Sequence, residues 1–307
     1  MKTIQYNDYG NSDVLEQVEV PVPSLQNGND VLVQVKAAGV NPIDIKIRMG
    51  FMKAVRPVEM PFIPGGEAAG IIVAIGDDVS AFKVGDEVIA LTKANAYAEY
   101  VTVNESFVVP KPQGLSFAEA ASIGVNIGTA ESVLFIAGKL QKGQSVLIQG
   151  GSGAVGGAMV QMAKAAGAYV IATASGKGVA LAKSFGADEV IDYKLKDVAR
   201  LIKDIDLVAD TAGGEAQTKL FQVLKPGGML LSIVVPPSQE LAEQYEVKAN
   251  FVASNISAQT LQNGIELLKI GKFKPVVSKI FKLEEAAVAQ DFLTAGGVNG
   301  KVILTIG

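Results

Sequence analysis

Six residues near the middle of the chain, Gly151-Ser152-Gly153-Ala154-Val155-Gly156, have the spacing G-x-G-x-x-G. An apolar strand pattern, "SVLIQ" at 145–149, precedes them, and an amphipathic helix is predicted to follow from about 155 to 166. In that setting the turn is suited to the pyrophosphate of a dinucleotide. Gly151 permits the tight turn, Gly153 removes a side chain where phosphate must approach, and Gly156 lets the helix lie close on the strand. The first amides of the helix lack intrahelical acceptors and stand at the positive end of its dipole, so they favour an anion. A glycine turn that only joins strand to helix shows the same short pattern. The next strand, "YVIATA" at 169–174, makes dinucleotide binding the better reading.

The end of that next strand bears on which dinucleotide. An NAD site places an acidic residue about 20 positions past the glycines to hold the ribose 2′-hydroxyl. Here the place reads Ala172-Thr173-Ala174-Ser175-Gly176-Lys177, without a carboxylate. Ser175 can donate to a 2′-phosphate, Lys177 can neutralise it, and Tyr193 after the third strand can close the adenosine pocket. The expected cofactor is NADPH. As alternatives, Lys177 is a solvated loop lysine and Tyr193 a packed aromatic.

What is missing narrows the chemistry further. The chain has no His and no Cys. Zinc sites are built from these residues, so no metal site is expected. Serine and cysteine hydrolase mechanisms that use histidine are excluded for the same reason. No EF-hand or P-loop spacing is present. Apolar residues make up 49% and charged residues 19% of 307, a globular composition, and the length favours two domains. The net charge of −4 with no basic stripe makes nucleic acid an unexpected partner. The first residues, "MKTIQYNDYG", carry no apolar leader, and no run reaches the length of a membrane span. A cytoplasmic location and no membrane partner are expected.

Three segments position these residues. Residues 1–125 are β-rich, with strand patterns at 30–40, 68–76, 86–91 and 98–103 broken by prolines. From 126 to 264 strands and helices alternate, with strands at 145–149, 169–174, 189–193, 206–212, 229–235 and 248–254. The stretch "EAQTKLFQVLKPGG" is predicted to be a helix ending at Gly227. Several of these strands are apolar throughout, as strands covered on both faces are, which predicts a doubly wound parallel sheet. The tail, 265–307, returns to a mixed pattern and is expected to rejoin the first domain.

Several blocks together resemble the medium-chain dehydrogenase/reductase superfamily, in its zinc-free quinone oxidoreductase branch (zeta-crystallin-like). They are "AAGVNPIDIKIRMG", "PFIPGGEAAGIIVAIGDDVSAFKVGDEVIA", "YAEYV", "GTA", "GGSGAVGGAMVQMAKAAGA", "FGADEVIDY", "LKPGG" and "GKVIL". The "NPIDIKIRMG" form is similar to enone and quinone reductases. The resemblance implies a GroES-like substrate domain (1–125 and 265–307) around a Rossmann NADPH-binding domain (126–264), and a homodimer. It implies that Thr129 lies near the nicotinamide carboxamide and that Ala154 and Val155 offer amides to the pyrophosphate. It places Ala212 and Val234 on the nicotinamide side. Gly39 falls where zinc-dependent relatives keep a cysteine. The implied activity is NADPH-dependent hydride transfer, without metal, to a quinone or an α,β-unsaturated carbonyl.

Such an acceptor gains negative charge on oxygen, so a donor beside it lowers the barrier. Asn41, Asp44 and Lys46 are the candidates: Asn41 through its amide, Lys46 as a cation, and Asp44 by orienting either one or holding a ribose. The same N-P-x-D sequence also reads as a capped turn, with Lys46 a surface charge. Tyr97 is a fourth candidate acid or a packed aromatic. Glu67 is expected to be structural, and Asn299 and Lys301 to border the cofactor. Two other functions fit the residues: a non-catalytic NADPH-binding sensor or structural protein, and a stand-alone enoyl-thioester reductase.

Overall fold

The computed structural model describes residues 1–254 and 256–307. The chain divides into two compact units, Met1–Val125 with Pro275–Gly307, and Asn126–Lys274.

The first unit is built on one long strand, β1 (Asp30–Val40). Its apolar residues Val31, Val33 and Val35 share one face and are fully or almost fully buried. On one edge β1 pairs antiparallel with Ala68–Ile75, followed by Glu87–Ala90 and Val108–Pro110. On the other edge its first half pairs with Tyr100–Asn104 and its second half with Lys301–Thr305, which in turn pairs with Val277–Lys282. Val40 stands opposite Val302 in this register, so Lys301 arrives beside the residue that follows β1, Asn41. A helix, α1 (Pro42–Arg48), begins there with proline in its first turn.

The second unit carries the parallel sheet expected from its apolar strands. The strands are β2 (Ser145–Gln149), β3 (Tyr169–Ala174), β4 (Glu189–Asp192), β5 (Ile205–Asp210), β6 (Leu224–Ser232) and β7 (Lys248–Phe251). They lie in the order β4-β3-β2-β5-β6-β7, all parallel. The order reverses between β2 and β5, where ligands bind in such sheets. The helices between β2 and β6 include α2 (Ala154–Ala165), α3 (Lys177–Ser184), α4 (Val198–Leu201) and α5 (Glu215–Leu220); a short helix, Gln239–Gln244, joins β6 to β7, and α6 (Ala258–Lys269) follows β7. Val146, Leu147 and Ile148 have no exposed surface, which is why β2 reads as a continuous apolar run.

Two boundaries differ from expectation. The chain returns to the first unit at Pro275 rather than 265. The helix α6 stays with the second unit because it packs on α2, and Gln161 of α2 ties down Lys274 through both its amide (2.8 Å) and its carbonyl (3.2 Å). The helix predicted to end at Gly227 stops instead at Leu220, with a 3-10 turn to Val223, and β6 begins at Leu224. Gly227 has φ +76°, and the pairing of β5 with β6 slips between Ile205 and Leu207, so the "LKPGG" segment is an irregular strand start. A third finding concerns hydropathy: the helical stretch Phe117–Ala137 is long and apolar enough by composition to cross a bilayer. It is 72% buried within the protein, as a core helix is.

Candidate active site and cofactor site

The glycine turn leaves β2 at Gly150, which takes the positive φ (+78°) that the sharp turn requires. The tight turn therefore falls one residue before Gly151. The requirement at Gly151 is packing, since a Cβ there would lie 2.7 Å from the Ala172 methyl. Gly156 does what its place in the pattern predicts: a Cβ would sit 2.1 Å from the Gly150 carbonyl oxygen. At Gly153 a Cβ would lie 3.3 Å from the Gly150 carbonyl oxygen, a tight but not prohibitive approach. Without that Cβ the turn has room for a phosphate, and it fits a pyrophosphate on this count. The first intrahelical bond of α2 runs from the Gly157 amide to the Gly153 carbonyl (2.8 Å). The amides of Ala154, Val155 and Gly156 precede it at the positive end of the dipole. Ser152 is buried beside them.

The carboxyl ends of β3 and β4 bring Ser175, Lys177 and Tyr193 together. The Ser175 hydroxyl donates to the Tyr193 hydroxyl (3.2 Å), Tyr193 is held to β3 through its amide, and Lys177 opens α3. The structure adds a carboxylate that the order along β3 does not reveal. Asp192, at the end of β4, accepts from the Gly176 amide (3.3 Å) and the Lys194 amide (3.0 Å). Both of its oxygens are thus engaged by backbone, and Lys194 follows within two residues.

On the other side of the glycine turn, Asp210 organises the wall. It is buried and accepts from the amides of Ala212 (3.0 Å) and Gly213 (2.8 Å), from the Gln217 side chain (2.8 Å) and from the Ser232 hydroxyl (2.8 Å). One carboxylate therefore fixes the loop after β5 to the end of β6, where Val234 is anchored through its amide on Ser232 (3.2 Å). Sequence reasoning missed Asp210 because it reads as the polar end of a strand. Ala212 lines a cavity of about 710 Å³ with Gln149, Thr173 and Tyr193. Thr129 is buried on the helix Gly124–Glu131.

In the first unit the three candidate catalytic residues separate. Asn41 and Asp44 are buried and turned inward. The Asp44 carboxylate accepts from the Asn41 amide (2.9 Å), capping α1, and from the Tyr97 hydroxyl (3.1 Å). The Asn41 side chain donates to Glu67 (3.2 Å) and to the Gly39 carbonyl (3.3 Å), and accepts from Lys301 (2.5 Å). Both side chains are engaged within this network, and the capping box at the start of α1 is the turn that N-P-x-D also predicts. Lys46 keeps a half-buried place on α1. Lys301, expected at a cofactor edge, is instead the buried centre of this network. Its ammonium lies 2.6 Å from the Glu67 carboxylate, with 3% and 0% of the two side chains exposed. The other Glu67 oxygen accepts from the Val125 amide (2.7 Å). Burial pushes the Asp44 carboxyl up to about 6, against the opposing pull of the Asn41 amide, the Lys301 charge and the Tyr97 hydroxyl. Burial likewise pushes the Tyr97 hydroxyl well above its usual range.

Two family models match the chain, an alcohol dehydrogenase GroES-like domain over residues 27–113 and a zinc-binding dehydrogenase over 185–304. The 2-methylene-furan-3-one reductase of Solanum lycopersicum is 36% identical over 322 residues, covering 99% of this chain and 79% of that one. The chain belongs to the medium-chain dehydrogenase/reductase family. The chloroplastic NADPH-dependent alkenal/one oxidoreductase of Arabidopsis thaliana is 33% identical over 321 residues, covering 99% of this chain and 79% of that one. Among solved structures, the quinone oxidoreductase from Coxiella burnetii superposes with a TM-score of 0.90 at 30% identity, covering 100% and 99% of the two chains. The protein is an oxidoreductase of this family, with its GroES-like and Rossmann-like units.

Zinc, which one of the matching models carries in its description, does not fit this family member's donors. The chain offers neither Cys nor His, and the described residues contain no cluster of three or more His, Cys, Asp or Glu suited to a metal. At Gly39 a Cβ would lie 2.5 Å from a Glu67 oxygen that Lys301 and Asn41 already engage. A cation is present beside Glu67, but it is the lysine's own.

Proposed function

We propose that the protein transfers hydride from NADPH to a quinone or an α,β-unsaturated carbonyl compound without a metal ion. The observation that carries this reading is the glycine turn, bare of side chain at Gly153 and with three first-turn amides, beside the Ser175, Lys177 and Tyr193 cluster. NADPH, when bound, supplies the hydride. The amides of Ala154 and Val155 hold the pyrophosphate, and Lys177 with the two hydroxyls holds the 2′-phosphate. The backbone amides of Gly176 and Lys194 hold the Asp192 carboxylate in a fixed place beside this cluster. Asp210 keeps Ala212 and Val234 in place along the nucleotide. Asn41 and Asp44 act by position: they fix the start of α1, which carries Lys46 as a cationic side chain. The names of the relatives, which speak of furanone, alkenal/one and quinone substrates, support this acceptor class.

The test mixes purified protein and NADPH with a simple quinone or a short enone and follows the absorbance of the reduced cofactor. Acceptor-dependent oxidation is the expected result. No turnover with any member of either class refutes the reading, and tight NADPH binding without turnover favours a non-catalytic role.

A further inference from the structure

Gln149 is the last residue of β2 and reaches into the cavity of about 710 Å³ at the carboxyl ends of β2, β3, β4 and β5. It is 7% exposed, and its side-chain oxygen has no hydrogen-bond partner. A buried acceptor in that state is costly unless a ligand brings it a donor. The neighbouring hydroxyls do not bond to it: Thr173 accepts from the Gly150 amide (3.1 Å), and Thr211 donates to the Gln149 carbonyl (2.6 Å).

The rest of the cavity says what kind of donor fits. Side chains alternate along a strand, so Gln149 points to the same face as Leu147, which packs in the core with Ala199 and Leu220. Both of those residues also line the cavity, as do Val198 and Ala212. The wall beside the amide is apolar, while the exposed charged side chains of Lys194, Lys196, Lys219, Asp197 and Glu215 also line the cavity. We propose that Gln149 reads the adenine base of the cofactor through its exocyclic amino group, an inference that rests on the dinucleotide reading above. Adenine pairs flat apolar faces with an N–H donor; the nicotinamide carboxamide is the other such group, but Tyr193 of the 2′-phosphate cluster lines the same cavity and favours the adenosine half there. The phosphates bring no donor and are drawn to the helix amides and lysines. The riboses are polar on every side and gain little from an apolar wall.

Equilibrium binding to the full chain, read by the fluorescence of the reduced nicotinamide, tests this. Two ligands are compared: NADPH, and the analogue in which hydrogen replaces the adenine amino group. The analogue has neither donor nor acceptor at that carbon, so the orientation of the Gln149 amide does not matter. The wild-type protein is expected to bind the analogue about tenfold more weakly. Gln149→Leu is expected to weaken NADPH and bring the two ligands within about twofold of each other. Gln149→Met serves in the same way if the leucine variant melts early, and the wild-type comparison needs no variant. Equal affinities in the wild type, or a ratio that survives both substitutions, overturns the role of Gln149 while leaving the dinucleotide reading intact. Absence of NADPH binding to the wild type overturns both.

Discussion

Lys301→Met is the sharpest probe of the first unit. The substitution keeps an unbranched side chain but removes the ammonium 2.6 Å from Glu67, whose side chain is wholly buried. Glu67 would retain the Asn41 amide at 3.2 Å and the Val125 amide at 2.7 Å, and Asn41 would lose its own donor. Breaking one side of a buried pair leaves a charge without compensation and costs about 3–5 kcal/mol. For a domain of about 150–250 residues this corresponds to roughly 6–20 °C in melting temperature. Adding Glu67→Gln removes the charge, and the double variant is expected to recover at least about half of the loss by the logic of a double-mutant cycle. Urea unfolding followed by circular dichroism suits the measurement, because the chain has no Trp. A loss under about 1 kcal/mol, or a double variant as unstable as the sum of the singles, refutes the reasoning that this pair is a tightly closed buried unit.

Three further outcomes follow from the same geometry. Lys177→Ala should weaken NADPH roughly tenfold and leave NADH nearly unchanged, and equal losses in equilibrium binding would remove the 2′-phosphate assignment. Gly156→Ala should abolish detectable NADPH binding and lower the melting temperature, because its Cβ meets the Gly150 carbonyl at 2.1 Å and the turn must open; normal binding would show that the turn yields freely. Asp44 titrates at about 6 in the folded protein against 3.8 as a free side chain, so the folded state binds more protons between those values. Its contribution is fully present below pH 4 and lost as pH rises through about 6, an effect of at most about 3 kcal/mol. Asp44→Asn should flatten that part of the stability curve, and the difference between the two pH profiles of melting temperature is the measurement.

The parallel sheet and the glycine turn were legible because their signals are local. Val146, Leu147 and Ile148 announce a strand covered on both faces, and Gly156 is required by the Gly150 carbonyl only six positions away, although Gly151 answers to Ala172 on the next strand. The "LKPGG" segment misled because its glycine and proline read as a helix stop, whereas a slipped register lets β6 begin there. The placing of Asn41 and Asp44 was half legible, since N-P-x-D is as good a cap as it is a site. What no local pattern could give was Lys301 beside Asn41, a contact spanning 260 positions that only the register of Val302 with Val40 creates. Asp192 beside Gly176 was hidden for the same reason, because it comes from the adjacent strand.

The break in the first unit shapes how the molecule can be made. The Rossmann-like unit is one unbroken stretch of chain and can close while the ribosome is still adding residues. The GroES-like unit must wait, because the strand that flanks the second half of β1 is translated only after the whole nucleotide unit. Until that strand docks, Glu67 has no lysine, and its negative charge resists being sealed into an apolar interior. The nascent first half should therefore remain open and dependent on chaperones, and the arrival of a single lysine permits its closure.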